Sequence, residues 1–229
     1  MTKDLENIKQ SLLHQRLLAF LESAPGIVHN INNPLTIIST RAQLLQMKMP
    51  GNQDFKKMTE QSKAIEAILN NLVFISQNIS NDQLRKFDIN TLLKNEMEFL
   101  NADALFKHNT SKVFQFYQSP LIITSSYFHI STLVYCIMQV LLVQLKDSVE
   151  NKITIISEKA LDSVRFKIGS RILNHREVNN FISSISSPSD SPHLTHLSDA
   201  KRLANEIGIT LLINNNSDNI EFTVSIPLK

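Results

Sequence analysis

Apolar residues recur at alternating spacings of four and three along the first part of the chain. The series is interrupted only at Pro34 and consists of Leu13, Leu17, Phe20, Ala24, Ile27, Ile31, Ile38, Ala42 and Leu45. A repeat of about 3.5 residues is typical of a helix with one continuous apolar seam. The pattern predicts a long amphipathic helix from about Asp4 to Met47 that needs a partner helix. Because the seam keeps its phase past Pro25 and Pro34, we expect bends there rather than breaks.

A second amphipathic segment follows the turn at 49–52. Asp54 is predicted to cap a helix that runs to about Asn81. The inner face of this helix is expected to consist of Met58, Ile65, Ile68, Leu69, Leu72, Ile75 and Ile79. Two such helices joined by a short turn form an antiparallel hairpin, which leaves one side of each apolar seam exposed. We therefore expect residues 1–82 to pair with a second copy as a dimeric four-helix bundle.

The second half of the chain alternates between helical and strand patterns. After a polar linker at 81–86, the expected elements are a helix capped by Asp88 or Asn90 and ending near Leu105, a strand at 112–117, an apolar helix from Ser125 or Ser126 to Val149, strands at 152–157 and 163–168, a short helix at 176–184, a helix capped by Ser198 and ending near Ile207, and a hairpin of strands at 209–213 and 220–226. This order predicts a C-terminal two-layer α/β sandwich at 87–229, with helices on one face of a mostly antiparallel sheet. The fold class of the whole chain is thus expected to be α+β.

Composition narrows the class of protein. The chain has 229 residues, of which 42% are hydrophobic and 19% charged, which is enough for two globular units with cores of their own. A net charge of +2 with dispersed Lys and Arg argues against nucleic acid and against an anionic membrane surface. The single cysteine, Cys136, lies in an apolar run, so we expect a buried thiol. No uninterrupted apolar run is long enough for a membrane span and no signal-peptide core is present, so we expect a cytoplasmic protein whose sensing domain or membrane anchor belongs to another chain.

The first helix carries one candidate reactive side chain. His29 is two residues from both Ile27 and Ile31 on the apolar seam. At 100° per residue, its side chain points about 160° away from each of them, toward solvent. An exposed imidazole on a rigid helix is available for chemistry.

The segment around His29 resembles the phosphoacceptor box of bacterial sensor histidine kinases. His29, Asn33, Pro34 and Leu35 match the box, and the approach at 24–28 is also similar to that of the family. In the family an acidic residue follows the histidine and is thought to orient and deprotonate the ring. Here that residue is Asn30, which can hydrogen-bond but cannot act as a general base near neutral pH.

The second half resembles the ATP-binding domain of the same kinases in its opening at 87–93 and its ending at 222–228. The residues that the resemblance assigns to nucleotide binding have changed. Val143 and Asp147 occupy the positions of two asparagines, and the segment at 167–171 replaces the Asp-x-Gly-x-Gly strand end. The second glycine-rich turn is replaced by 193–197, which contains no glycine. A triphosphate needs close approach of backbone amides, so we expect a degenerate ATP-binding-like domain without a bound cofactor.

Three histidines of the second half are weak candidates for a metal site. His193 and His196 are three residues apart, and His175 precedes them, but two histidines at this spacing are by themselves a weak signal of a metal site. We therefore expect no metal site in this chain, although a carboxylate at Asp147 could hold a hard cation.

The candidate site residues follow from the resemblance and the helical spacing. The catalytic candidates are His29 as phosphoryl acceptor, Asn30 beside it and Asn33 one turn further. Asn33 resembles the residue that positions water when such kinases dephosphorylate a receiver, or it is only a solvated helix residue. The partner-binding candidates are Asn33, Thr36, Ile37, Thr40, Arg41 and Leu44. They form a docking surface for a receiver domain, or they pack against the second helix of the bundle.

Three interpretations of function remain open. The first is a dimeric histidine phosphotransferase that relays phosphoryl groups between the aspartates of response regulator receiver domains through His29. It needs no ATP, expects Mg²⁺ on the partner receiver, and admits an upstream hybrid histidine kinase as donor. The second is an ATP-dependent kinase with a divergent pocket. The third is a pseudokinase or adaptor that binds response regulators without phosphoryl turnover.

Overall fold

The structure is a computed structural model that describes residues 2–79, 83–145, 151–171, 192–216 and 219–228. The chain divides into two compact units, Met1–Ser80 and Asn81–Lys229. The first is a helical hairpin and the second an α/β unit with a mixed sheet. The predicted α+β class is therefore confirmed, whereas pairing into a four-helix bundle stays a prediction.

Two helices, α1 (Thr2–Lys48) and α2 (Gln53–Ile79), form the hairpin. Helix α1 continues through both internal prolines, as the unbroken phase of the apolar seam predicts. At the turn, the backbone N–H of Asp54 donates to Asn52 Oδ1 at 2.9 Å. The prediction that Asp54 caps α2 was therefore wrong, because the capping oxygen comes from Asn52, one residue before the helix begins.

The apolar seam predicted on α1 divides between two faces of the helix. Ala24 and Ala42 are buried within the hairpin together with Val28, which lies outside the predicted seam. The other seam residues whose side chains are described are exposed, namely Leu17, Phe20, Ile27, Ile31, Ile38 and Leu45. Within one chain, α2 covers a neighbouring stripe of small side chains. The apolar remainder is an uncovered face that suits a second copy.

The inner face of α2 differs from the prediction in the same way. Leu69 and Ile75 are buried as expected and Leu72 is half-buried, whereas the exposed Met58, Ile65 and Ile68 were wrongly assigned to this face. Several buried positions are polar instead, namely Thr59, Ser62, Ser76 and Asn78. Their hydroxyl or amide groups donate to carbonyls of the same helix, so these side chains need no partner on α1.

The second unit opens with two strands that the sequence did not predict. Strand β1 (Leu84–Asp88) lies where a polar linker was expected, and it pairs antiparallel with β3 (Ile122–Ser126) in a two-stranded sheet. Both strands have only five residues, and β1 is mostly charged. Alternation over so short a span is a weak signal, so their pairing depends on tertiary contacts.

Four helices lie in the described part of the second unit: α3 (Ile89–Leu100), α4 (Ala104–His108), α5 (Tyr127–Leu145) and α6 (Pro192–Glu206). The single helix expected to end near Leu105 is divided into α3 and α4, because the Asp103 side chain accepts from the N–H of Phe106 and starts a new helix. Ser198 lies inside α6 and is not its cap. The helix predicted at 176–184 lies outside the described residues.

The second sheet has five strands in the order β2-β4-β5-β7-β6. They are β2 (Ser111–Gln115), β4 (Lys152–Lys159), β5 (Ser163–Arg171), β6 (Thr210–Asn216) and β7 (Asn219–Pro227). The predicted hairpins β4–β5 and β6–β7 are confirmed as antiparallel pairs. Among the described strands, the one parallel pair joins the edge strand β2 to β4, so the sheet is mostly antiparallel, as predicted.

The core of the second unit lies between this sheet and α5. Alternate residues of the strands, such as Phe166, Ile168 and Phe222, have no exposed surface. Among the described helices, α5 is the one long and apolar enough to cross a membrane, but 61% of its most apolar window is buried inside the unit, as in the core helix of a globular domain. Cys136 is buried, as expected, and burial raises the pKa of its thiol to about 11.

Asp88 joins the start of α3 to the neighbouring loop. Its carboxylate accepts from the N–H of Thr91 at 3.0 Å, from the Thr91 hydroxyl at 2.8 Å and from the N–H of Leu121 at 2.7 Å. Burial by itself would raise the pKa of Asp88, but the hydrogen bonds to the carboxylate hold it below its ordinary value. Asp88, and not Asn90, is therefore the cap, and the Asn90 amide instead donates to the carbonyl of Tyr117 at 3.0 Å.

Replacing Asp88 with Ala is expected to destabilise the second unit by about 2 kcal/mol, because a helix cap is lost and the N–H of Leu121 loses its acceptor. Asp88→Asn keeps one acceptor oxygen and should lose less. Urea unfolding at pH 7 measures both changes. Because the folded pKa is lowered, the advantage of the wild type over Asp88→Asn should shrink as the pH falls through that pKa. Equal stability of wild type and Asp88→Ala at pH 7 would contradict the role of the cap.

Candidate functional site

The predicted site residues lie on exposed faces of α1. His29, Asn33, Thr36 and Thr40 form one stripe, within about 40° of His29 around the helix axis. Beside it, at about 60° to 120°, lies a second stripe made of Asn30, Ile37, Arg41 and Leu44. All eight side chains are exposed within one chain, including the apolar Ile37 and Leu44 at 57% and 53%. The outward orientation predicted for His29 is thus the one that α1 adopts.

The backbone next to His29 has an interrupted hydrogen-bond ladder. Pro34 lies inside α1 and has no N–H, so the carbonyl of Asn30 lacks its usual helical donor. One turn further, the Thr36 hydroxyl donates to the carbonyl of Asn32 at 2.8 Å. The helix remains continuous across this point, so the segment that carries His29 keeps its helical support.

A polar groove of about 180 Å³ runs between α1 and α2 on the side of the site. Thr36 and Thr40 line the groove from α1, and Ser62 and Glu66 line it from α2. Asn32 also contributes, and its Oδ1 is buried without a hydrogen-bond partner among the described residues. The groove begins about one turn from His29, so a partner seated there could reach both the groove and the imidazole.

No hydrogen bond from another described residue fixes the His29 ring. Asn30, at the position of the family's acidic residue, is exposed and makes no described contact with the ring. The site therefore offers a nucleophilic nitrogen without a carboxylate general base beside it. Chemistry here must draw positioning and charge relief from the reaction partner.

The residues that the resemblance assigns to a nucleotide and Mg²⁺ do not fit these ligands where they are described. Val143 is apolar and 38% exposed on α5, and Ile168, in the replaced strand end, is a fully buried aliphatic residue. A Cβ at Gly169 would approach the carbonyl oxygen of Ile220 to 3.0 Å, so this glycine serves the pairing of β5 with β7. Asp147 lies outside the described residues.

The three histidines considered for a metal site are only partly described. His196 is exposed on α6, whereas the position of His175 and the side chain of His193 lie outside the description. Among the described residues, no group of three His, Cys, Asp or Glu side chains could hold a metal ion. The absence of a metal site from the whole chain stays a prediction.

Sequence reasoning missed a buried carboxyl group in the second unit. Glu96 is 3% exposed between α3 and α5, and its Oε1 accepts from the Ser131 hydroxyl at 2.6 Å and from the Tyr127 hydroxyl at 3.5 Å. Burial raises the pKa of Glu96 to about 7, against the effect of these two hydrogen bonds. The available signal was its spacing of four from Leu92 and Leu100, which places Glu96 on the apolar face of α3.

The chain combines a helical hairpin that carries an exposed histidine with an α/β unit that contains a mixed sheet. Residues 22–81 match the family model of the His Kinase A (phospho-acceptor) domain, and this match includes His29. The comparison with curated proteins finds no match. The match shows that residues 22–81 are similar to the phospho-acceptor domain of histidine kinases.

Solved structures show the same fold at low sequence identity. Acinetobacter baumannii histidine kinase AdeS is 15% identical, with 88% of this chain and 98% of that chain covered and a TM-score of 0.50. A nucleotide-free form of the catalytic domain of histidine kinase ThkA is 22% identical, with 63% of this chain and 97% of that chain covered, also at a TM-score of 0.50. These similarities support the fold assigned to both units. At such low identity they say nothing about the chemistry, which depends on the residues of this chain.

Proposed function

We propose that the chain is a histidine phosphotransferase that relays phosphoryl groups between receiver-domain aspartates through His29 and does not phosphorylate itself from ATP. The observation that carries the proposal is the exposed imidazole of His29 within the matched phospho-acceptor hairpin. Val143 and Ile168, at positions that the resemblance assigns to nucleotide and Mg²⁺ binding, carry aliphatic side chains that cannot ligate Mg²⁺. A donor that is already phosphorylated is therefore the consistent source of the phosphoryl group.

The proposed reaction uses the ring nitrogen of His29 as a nucleophile. The nitrogen lone pair forms a bond to the phosphorus of a receiver aspartyl phosphate while the bond from phosphorus to the aspartate oxygen breaks. The carboxylate leaves with the bonding electrons, and the ring proton passes to solvent. The reverse sequence transfers the phosphoryl group to a second receiver. A neutral imidazole can act as a nucleophile at near-neutral pH. Mg²⁺ on the receiver would stabilise the negative charge on the oxygens of the phosphoryl group.

The proposed docking surface consists of Asn33, Thr36, Ile37, Thr40, Arg41 and Leu44. These residues combine two exposed apolar side chains with a cation and hydrogen-bonding groups, and two of them line the groove beside α2. Such a mixed surface of modest area suits a transient partner. We assign Asn33 to the orientation of the receiver phosphoryl group or of a water molecule, because it is exposed one turn from His29.

The hairpin is further proposed to act as a homodimer. The exposed apolar residues on α1 and α2 form faces that one chain leaves uncovered, and homodimers are typical of the matched domain family. We place this dimer in the cytoplasm with response regulators as partners and a hybrid histidine kinase as one upstream source. Nucleic acid and membrane lipid are not among the proposed partners.

An ATP-dependent kinase is the second candidate, because the fold match covers nearly the full length of a histidine kinase structure. The two functions differ in their phosphoryl donor. We expect purified chain to acquire acid-labile phosphate from a phosphorylated receiver and none from ATP with Mg²⁺. Labelling from ATP in the absence of any receiver would favour the kinase and contradict the proposal.

Introducing negative charge into the docking surface should slow transfer without changing the fold. Ile37→Glu and Leu44→Glu place carboxylates at exposed positions, and we expect each to reduce the transfer rate at limiting receiver by about tenfold. Leu161→Glu is the matched control, because Leu161 is fully exposed on the second unit. Unaltered transfer in both hairpin variants, measured by quenched-flow labelling, would remove this surface from the proposal.

A further inference from the structure

A groove of about 290 Å³ lies in the second unit beside the edge strand β2. Lys112, Phe114 and Phe116 alternate along and just beyond the edge strand β2, so their side chains share one face. Opposite them, Lys94 and Asn101 are seven residues apart on one side of α3. The groove therefore lies between one face of β2, where alternate residues share a side, and one side of α3, where residues seven apart share a side.

Aromatic rings form the apolar wall of this groove. Phe114 and Phe116 are stacked with centroids 5.7 Å apart and planes at 15°. Phe114 is 45% exposed, whereas Phe106, which also lines the groove, is fully buried. An aromatic side chain left half in water, parallel to a second ring, offers a flat apolar surface to a planar ligand.

Lysine ammonium groups supply the polar side of this groove. Lys112 Nζ lies 4.3 Å from the centroid of Phe106 and donates to Asn101 Oδ1 at 3.0 Å, with a longer contact to the carbonyl of Lys107 at 3.5 Å. Partial burial lowers the pKa of Lys112, which Glu98 opposes and Lys107 reinforces. An ammonium has three donors, so Lys112 keeps capacity for an acceptor.

The charge around the groove favours an anion. Lys94 Nζ lies 5.5 Å from the centroid of Phe116, so a second cation borders the aromatic wall. The carboxylate of Glu98 is the anion among the lining residues, and it accepts from the Asn101 amide at 3.1 Å. Among the lining residues two cations, Lys94 and Lys112, therefore outnumber one anion, and Lys112 is partly removed from water.

We propose that this groove binds a small aromatic carboxylate. Its ring would stack on Phe114 and Phe116, and its carboxylate would accept from Lys112 and Lys94. The volume is near the lower end of small-molecule pockets, which suits an acid of one or two rings. Apolar walls with a few placed polar groups are the usual composition of such pockets. The inference is independent of phosphoryl transfer at His29 and gives the second unit a ligand other than a nucleotide.

The test titrates the full chain into 4-fluorobenzoate and follows the fluorine NMR linewidth. Two further probes test the aromatic ring and the carboxylate one at a time. 4-Fluorobenzamide has the ring but no charge, and trifluoroacetate has the charge but no ring. Lys94→Gln and Phe114→Ser change exposed groove residues, and Lys112→Met removes the partly buried ammonium. Lys86→Gln, an exposed lysine on β1, is the matched control.

We expect saturable binding of 4-fluorobenzoate that weakens at least about tenfold in Lys94→Gln and in Phe114→Ser, and that is unchanged in Lys86→Gln. The amide and trifluoroacetate should bind at least about tenfold more weakly than the acid. If Lys112→Met unfolds at the wild-type temperature, it should weaken 4-fluorobenzoate binding as much as Lys94→Gln does. If it unfolds earlier, the test depends on Lys94→Gln and Phe114→Ser alone. Absence of saturation up to about 10 mM, equal binding of the amide, or unchanged binding in both exposed variants would overturn the proposal.

Discussion

Replacing His29 with Gln is expected to lower phosphoryl transfer from a phosphorylated receiver to the chain by about a thousandfold or more, because the nucleophile itself is removed. Glutamine has a similar size and a good helix propensity, and position 29 is exposed, so α1 should retain its structure. The measurement is the initial rate of acid-labile, alkali-stable label on the chain. This is the chemical signature of a phosphoramidate as opposed to a phosphoester.

The matched control for this variant is His108→Gln, which changes an exposed histidine at the end of α4 in the other unit. It should transfer at the wild-type rate. Receiver binding by His29→Gln should also persist, because the docking surface is intact. Equal labelling of wild type and His29→Gln would reject His29 as the acceptor, and loss of both binding and transfer would point to a folding defect.

Replacing Glu96 with Gln is expected to stabilise the second unit at pH 8 by up to about 3 kcal/mol, as follows from a pKa raised from 4.5 to about 7. The raised pKa means that the folded state favours the protonated carboxyl. Wild-type stability should therefore be highest below the unfolded pKa, fall as the pH rises between the two values, and reach its low plateau above about 7. Glutamine keeps the shape and the acceptor oxygen for Ser131 but carries no charge, so the variant should lack this decline.

Tyrosine fluorescence isolates the affected unit, because the three tyrosines, Tyr117, Tyr127 and Tyr135, all lie in it and the chain has no tryptophan. Urea unfolding followed by this signal at pH 5 and pH 8 compares wild type with Glu96→Gln. Glu206→Gln, at an exposed position near the end of α6, is the control and should leave the pH profile unchanged. A pH-independent difference between wild type and Glu96→Gln would contradict the assignment of the carboxyl.

Periodicity predicted the long elements of this chain but not which of their faces meet. Ile31 and Ile38 fit the apolar repeat on α1, yet α2 packs against Val28 and the alanines, because small side chains let two helices approach closely. A sequence records that a face is apolar, but not whether it is covered within the chain or by another copy. The same ambiguity misplaced Met58 and Ile65 on α2.

Short elements escaped prediction for a different reason. Strand β1 is five residues long and contains Arg85 and Lys86, so its local pattern is that of a polar linker. It becomes a strand because its backbone pairs with β3, and the Arg85 guanidinium lies 4.7 Å from the ring of Tyr127. Contacts between residues far apart in sequence decide such segments.

The candidate site was predictable to the extent that it depends on one helix. The outward direction of His29 follows from its offset from Ile27, and Asn33 follows one turn later. The polar groove was not predictable, because Ser62 and Glu66 reach it from α2, and that requires the register between the two helices. The groove at Phe114 needs the packing of α3 and α4 beside β2, which no local pattern contains.

The most direct test of the account is to locate the phosphoryl group. Full chain is incubated with a phosphorylated receiver in the absence of ATP and digested at alkaline pH, and the phosphopeptides are sequenced by electron-transfer mass spectrometry. A second, unphosphorylated receiver is then added to the isolated phosphorylated chain. We predict phosphate on His29 and its subsequent appearance on the second receiver. Phosphate on another residue, or phosphate on His29 that arises only when ATP is supplied, would contradict a relay through this histidine.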